Sequence, residues 1–154
     1  MAMHTWFECK IRYEKTMENG MQKKVTEPYL VDALSFTEAE ARIIEEMTPF
    51  ITGEFTVSDI KRANYSELFP SDEESADRWF KCKLIFITLD EKSGAEKKTS
   101  TQVLVQAADL RDAVKKLDEG MKGTMADYQI GMVSETPLMD VYPYSAGPND
   151  KPEF

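Results

Sequence analysis

Trp6-Phe7-Glu8-Cys9-Lys10 returns as Trp79-Phe80-Lys81-Cys82-Lys83, 73 residues further on (6 to 79), and this recurrence decides how the chain is read. Trp and Cys each occur only twice in 154 residues, so a shared Trp-Phe-x-Cys-Lys points to internal duplication. From Trp6 to Lys15 the residues alternate. Phe7, Cys9, Ile11 and Tyr13 share one face, and Glu8, Lys10, Arg12 and Glu14 take the other beside Trp6, the pattern of a half-buried strand. Phe80, Cys82, Leu84 and Phe86 repeat the inward set. Ile85 and Ile87 stand where Arg12 and Glu14 stood, so the second copy of the strand is apolar on both faces and expected to be central or covered.

Working outward, Asn19-Gly20 signals a hairpin turn, and Val25 to Ala33 reads as the returning strand. Pro28 has no N–H to give a ladder, which places that strand at an edge or a bulge near this point. Ser35 and Glu38 have capping-box spacing, and Ala39, Ile43 and Met47 recur at four-residue intervals, predicting a short amphipathic helix stopped at Thr48-Pro49. A third strand begins at Phe55, and Tyr65 to Phe69 either continues it or forms a fourth. In the second copy a longer turn over Glu91 to Ala95 shifts the offset to 74. Lys97-Lys98 then matches Lys23-Lys24, Asp109 and Asp112 replace the cap pair, and Ala113, Leu117 and Met121 reproduce the helix face. Tyr128 to Val133 answers Phe55 to Ile60, and Val141-Tyr142-Pro143 answers Leu68-Phe69-Pro70, with the offset back at 73.

The expected class is α+β: internally duplicated β-β-α-β units with pseudo-twofold symmetry, antiparallel sheet or sheets, and two helices packed on one side. Two halves of about 70 residues would each be marginal alone. The expectation is therefore one domain over residues 1–144 with a merged core, made of repeats 6–70 and 79–143. The acidic segment 71–78 reads as the linker and 145–154 as a flexible tail.

Hydrophobic residues make up 42% and charged residues 31%, a globular balance. The longest apolar runs, such as Leu84 to Ile87, fall far short of the roughly 20 residues that span a bilayer, so no membrane association is expected and the default setting is cytoplasmic. A net charge of −9 repels polyanions at long range unless the lysines are segregated from the carboxylates.

The opening Trp-Phe-x-Cys-Lys, the Glu27-Pro28-Tyr29-Leu30-Val31 strand, the Phe36-Thr37-Glu38-Ala39-Glu40-Ala41 helix start and the Phe55-Thr56-Val57 strand resemble a family of short bacterial and bacteriophage proteins known as a domain of unknown function. The resemblance runs over nearly the whole chain. It implies a single domain and carries no catalytic or binding residue.

One histidine, His4, cannot assemble a Ser-His-Asp or Cys-His constellation within the chain, and no phosphate-loop, Cys-x-x-Cys, His-Glu-x-x-His or EF-hand pattern occurs. No enzyme activity, metal or cofactor is expected. Cys9 and Cys82 occupy equivalent strand positions, where a reduced, buried thiol is the simpler explanation. The solvated run Asp72-Glu73-Glu74 and the pair Glu45-Glu46 read as wet surface.

Two features bear on binding. Trp6, Lys10 and Arg12 in one copy and Trp79, Lys81 and Lys83 in the other, with Lys23, Lys24, Lys97 and Lys98 on the hairpins, interleave rings and cations as single-stranded DNA or RNA requires. The competing explanation makes each Trp a lid on the core and the lysines solubilising charges. The other feature is the tail, where Asp150, Glu153 and Phe154 are similar to the acidic, Phe-ended partner-binding tails of single-stranded-DNA-binding proteins. The function expected first is therefore a non-enzymatic binding protein for single-stranded nucleic acid. The alternative is an acidic protein–protein adaptor or inhibitor that uses the helix carboxylates, an exposed strand edge or the tail to engage a basic partner, and a homodimer joining two sheets is compatible with either.

Overall fold

In the computed structural model, which describes residues 5–143, the alternating stretches become strands and the spaced apolar stretches become helices. The order is β1 (Thr5–Thr16), β2 (Gln22–Ala33), α1 (Phe36–Met47), β3 (Phe55–Ala63), β4 (Glu67–Phe69), β5 (Arg78–Leu89), β6 (Glu96–Ala107), α2 (Leu110–Gly120), β7 (Asp127–Glu135) and β8 (Val141–Tyr142). The class is α+β with two four-stranded sheets, ordered β3-β1-β2-β8 and β4-β6-β5-β7. The long pairings are antiparallel, whereas β8 lies parallel to β2 and β4 parallel to β6.

The chain divides into two compact units, residues 5–64 with 138–143, and residues 65–137. These are not the two sequence repeats. The short last strand of each repeat pairs with the second strand of the other: Leu68 sits beside Leu104, and Val141, its counterpart, beside Leu30. The hydrogen bonds correspond as well, Ser66 N donating to Gln102 O at 2.8 Å and Met139 N to Pro28 O at 2.9 Å. Leu30 N donates to Asp140 O on this same side of β2. Backbone groups alternate sides along a strand, so the donor Pro28 lacks would have pointed to the β8 edge, away from β1.

The segment 71–78 is tied into the second unit. Ser71 N donates to Gln106 Oε1 at 2.9 Å, Lys116 Nζ reaches Ser71 Oγ at 3.0 Å and Glu73 Oε2 at 2.9 Å, and Ala76 is buried.

Both helices start as their cap residues require. Ser35 Oγ accepts from Glu38 N at 3.1 Å, and Asp109 Oδ1 from Asp112 N at 2.8 Å. The return bonds go one residue further out than the ordinary capping box, Leu34 N to Glu38 Oε1 and Ala108 N to Asp112 Oδ2, both 2.9 Å.

Each unit contains a cluster of buried residues on the helix side of its sheet. Phe7, Cys9, Ile11, Val31, Ala33, Ala39, Ile43 and Met47 make the first. Phe80, Cys82, Leu84, Val103, Val105, Ala107, Ala113, Leu117 and Met121 make the second. Each helix thus buries its stripe on one face of its own sheet. Phe36 meets Phe7 edge-on at 4.9 Å, and the Arg62 guanidinium lies over both rings, 5.5 and 5.9 Å from their centroids. Gly120, the last residue of α2, leaves room for Phe69 of β4, whose ring carbons would stand 2.8 Å from a Cβ there.

Candidate interaction surfaces

The face of each sheet turned away from its helix carries most of the residues expected to bind, and the strand register fixes their neighbours. In the first unit Lys10 stands between Pro28 and Asp59, Arg12 between Thr26 and Thr56, and Lys24 opposite Glu14. Glu8 lies across from Lys61 and pairs with it at 3.8 Å. Two of the three expected cations on this face therefore have a carboxylate directly across the ladder. Arg12 is flanked by threonines. Lys23 faces Lys15 on the helix-side face, so it does not join Arg12 and Lys24.

In the second unit Lys81 stands between Leu104 and Ser134, and Lys83 between Gln102 and Met132. Lys98 lies across from Ile87 and shares a row with Asp127, whereas Lys97 pairs with Thr88 on the other face. Lys81 and Lys83 are half-buried. Lys97, Lys98, Lys23, Lys24 and Arg12 are exposed at the hairpin ends.

The tryptophans lie at the opposite ends of these strands. Trp79 is only 5% exposed and Trp6 is half-buried, and Leu30 and Leu104, on the same faces, are fully buried. Trp79 thus offers little ring surface on which a base could stack. Arg12 lies six residues along β1 from Trp6, roughly 20 Å at strand rise, so the rings and the open cations are separated. The core-lid explanation fits Trp79. Asp150, Glu153 and Phe154 lie outside the described residues, as does His4.

What the structure does bring together is Arg12 and Lys24, at an open cavity of about 1040 Å³ in the first unit. It forms where β1 runs on past the start of β3: the β1–β3 ladder ends at Tyr13–Phe55, and Glu14 to Thr16 continue paired only to β2. Lys15, Glu14 and Glu54 line the same cavity beside Phe50, a ring 76% exposed that follows Pro49. Lys15 leans on Glu27 at 3.8 Å, and Tyr13 Oη donates to the same carboxylate at 2.8 Å. Arg12 and Lys24 are both exposed there.

The thiols have no such access. Cys9 is pushed up to about 12, by burial first and by the charge of Glu8 next, and Cys82 to about 11 by burial alone. A thiolate is the reactive form, so both are held as inert core groups, and they belong to different clusters. Among the described residues no group of three or more His, Cys, Asp or Glu could hold a metal ion, and no helix is long and apolar enough to cross a membrane.

The strand edge that an adaptor would use is expected from the sequence without a location, and the two edges of long strands are β3 and β7. β3 and β7 each end a sheet, and they are counterparts at an offset of 73. β3 carries Asp59, Lys61 and Arg62, the charges that ordinarily guard an edge against pairing. In β7 the counterparts of Asp59 and Lys61 are Met132 and Ser134, and Tyr128 to Ser134 is seven residues without a charge or a proline. That substitution was visible in the aligned repeats, but its meaning depended on β7 lying at an edge.

A family model described as a domain of unknown function (DUF4494) matches residues 5–144. No curated protein matches the chain.

Proposed function

We propose, for a chain that belongs to the DUF4494 family and takes no activity from it, that this is a non-enzymatic binding protein engaging a protein partner through a sheet edge. The edge of β7 carries this reading, since an open row of backbone donors and acceptors with no charged side chain from Tyr128 to Ser134 is what strand addition uses. The charge of −9 favours a basic partner and speeds its encounter. A cytoplasmic setting, where Cys9 and Cys82 stay reduced, and a bacterial or bacteriophage source belong to the same proposal.

A second reading, single-stranded nucleic acid, is favoured by one observation, the cavity that joins Arg12 and Lys24 to the exposed ring of Phe50. It uses Phe50 in place of the buried Trp79. Affinity capture from lysate with the full chain separates the two. A partner protein that survives nuclease treatment supports the adaptor. Recovery of nucleic acid alone rejects it, and a labelled oligonucleotide whose affinity falls as salt rises would then support the second reading.

A further inference from the structure

We propose that β7 docks an extended polypeptide segment of alternating apolar residues, bearing a Lys or Arg where it passes Asp127; this rests on the adaptor reading and names the partner's chemistry. Three observations converge on it.

The backbone is the starting point. Thr136 N donates to Trp79 O at 2.9 Å, which sets which residues of β7 turn their amides toward β5. By alternation Ser134 and Met132 face β5, and Glu135 and Val133 face outward. Past the bulge at Gly131, where the register shifts between Lys83 and Leu84, Gln129 and Asp127 oppose Ile85 and Ile87 on β5, leaving Ile130 and Tyr128 to face outward. An incoming strand therefore finds outward amides and carbonyls along the whole length of β7.

The side-chain surface at that edge is apolar on the face toward α2, where Tyr128, Ile130 and Val133 pack against the second cluster and stay half-buried. On the other face β7 carries Asp127, Gln129, Met132 and Ser134, level with Ile87, Ile85, Lys83 and Lys81 of β5. An added strand pairs its side chains with those of β7, which calls for an apolar residue at every second position, on the α2 side, with the residues between them on the face of Asp127.

Charge then orients the segment. Asp127 lies across from Ile87, with Lys98 a further strand away, while on the α2 face of the same end Tyr128 Oη donates to Asp118 Oδ1 at 3.2 Å. The other end is less demanding, because Arg78 already lies 3.6 Å from Glu135. Two copies of β7 are a poor match for each other, since antiparallel pairing centred on Gly131 would set Asp127 against Glu135 at both ends.

The test uses the full chain and a fluorescent synthetic peptide, Arg-Val-Thr-Val-Thr-Val-Thr, read by anisotropy. Saturable binding is expected. Met132→Asp with Ser134→Lys restores the pair that β3 carries at the same positions, a change the fold already accommodates once, and should weaken binding roughly tenfold or more by re-guarding the edge. Asp127→Lys should weaken it as well, and a peptide with Glu in place of Arg should recover the loss. Unchanged affinity in both variants overturns the proposal. So does a wild-type chain that captures a nuclease-resistant partner without binding the peptide, which removes this edge and leaves the adaptor reading standing. Self-association abolished by the Met132→Asp/Ser134→Lys variant would also overturn it, by making a second copy the occupant.

Discussion

Cys9 and Cys82 show how one residue type at one repeat position acquires a fixed chemical character. Each thiol sits in an apolar cluster that disfavours its anion, so its nucleophilic form is scarce at any ordinary pH. Native protein is therefore expected to react with a thiol-specific reagent at pH 8 far more slowly than unfolded protein, with both thiols released together on denaturation. Rapid labelling of either Cys in the folded chain would contradict the buried assignment. The inward half of Trp-Phe-x-Cys-Lys was legible from alternation alone, because Phe7, Cys9, Phe80 and Cys82 needed only a strand and a core. The outward half was not. Alternation places Trp79 away from the helix but does not say that this end of the outer face is closed to solvent.

At the scale of elements, the caps, the helix stripes and the hairpin lengths were all readable, since each depends on residues close in sequence. The short strands were a different matter. Leu68-Phe69 and Val141-Tyr142 were aligned as counterparts, yet two or three residues carry no periodicity that names a partner, and parallel pairing with the other repeat's second strand is set by long-range packing. The segment that supplies β8 matters for more than its length. It buries Leu138 and Val141, satisfies Leu30 N and Pro28 O, and brings Pro143 O to Arg42 Nη2 at 2.9 Å, while Arg42 Nη1 donates to Asp32 O. Replacing both Leu138 and Val141 by Ala should destabilise the protein by about 2–5 kcal/mol in chemical denaturation, as for other buried aliphatic truncations. A change under about 0.5 kcal/mol, the level of an ordinary surface substitution, would show that β8 is ornamental.

For the whole molecule, the net charge was plain from composition, but its distribution was not. The register sets Lys10 against Asp59 and Lys24 against Glu14, so carboxylates stand directly across the ladder from lysines that looked like a binding stripe. Several charges are also held by specific partners. Hydrogen bonds from Ala108 N and then Lys116 hold the Asp112 carboxyl below the usual carboxylate range, and Lys92 N and Ser93 Oγ do the same for Asp90. A carboxyl whose folded value is lowered stabilises the fold fully above its unfolded value of about 3.9, and loses that contribution as pH falls through the folded value. Tyr13, pushed up to about 12 by burial and then by its bond to Glu27, behaves in the opposite sense. Its contribution is complete below about 10 and lost as pH rises toward 12. The melting temperature should therefore be flat through neutrality and decline below about pH 4 and above about pH 10. A maximum at the pI of 4.7 would show that net charge, not these local bonds, governs stability.

The parallel pairing of β8 with β2 also has a consequence for how the chain is made. A polypeptide emerging from its N-terminus exposes Gln22–Ala33 long before residues 138–143 exist, so the outer edge of β2 stays without its own strand until most of the chain has been synthesised. The second unit has no such wait, because Glu67–Phe69 precedes the strand it will pair with. During synthesis the half that is begun first is thus the half that is finished last.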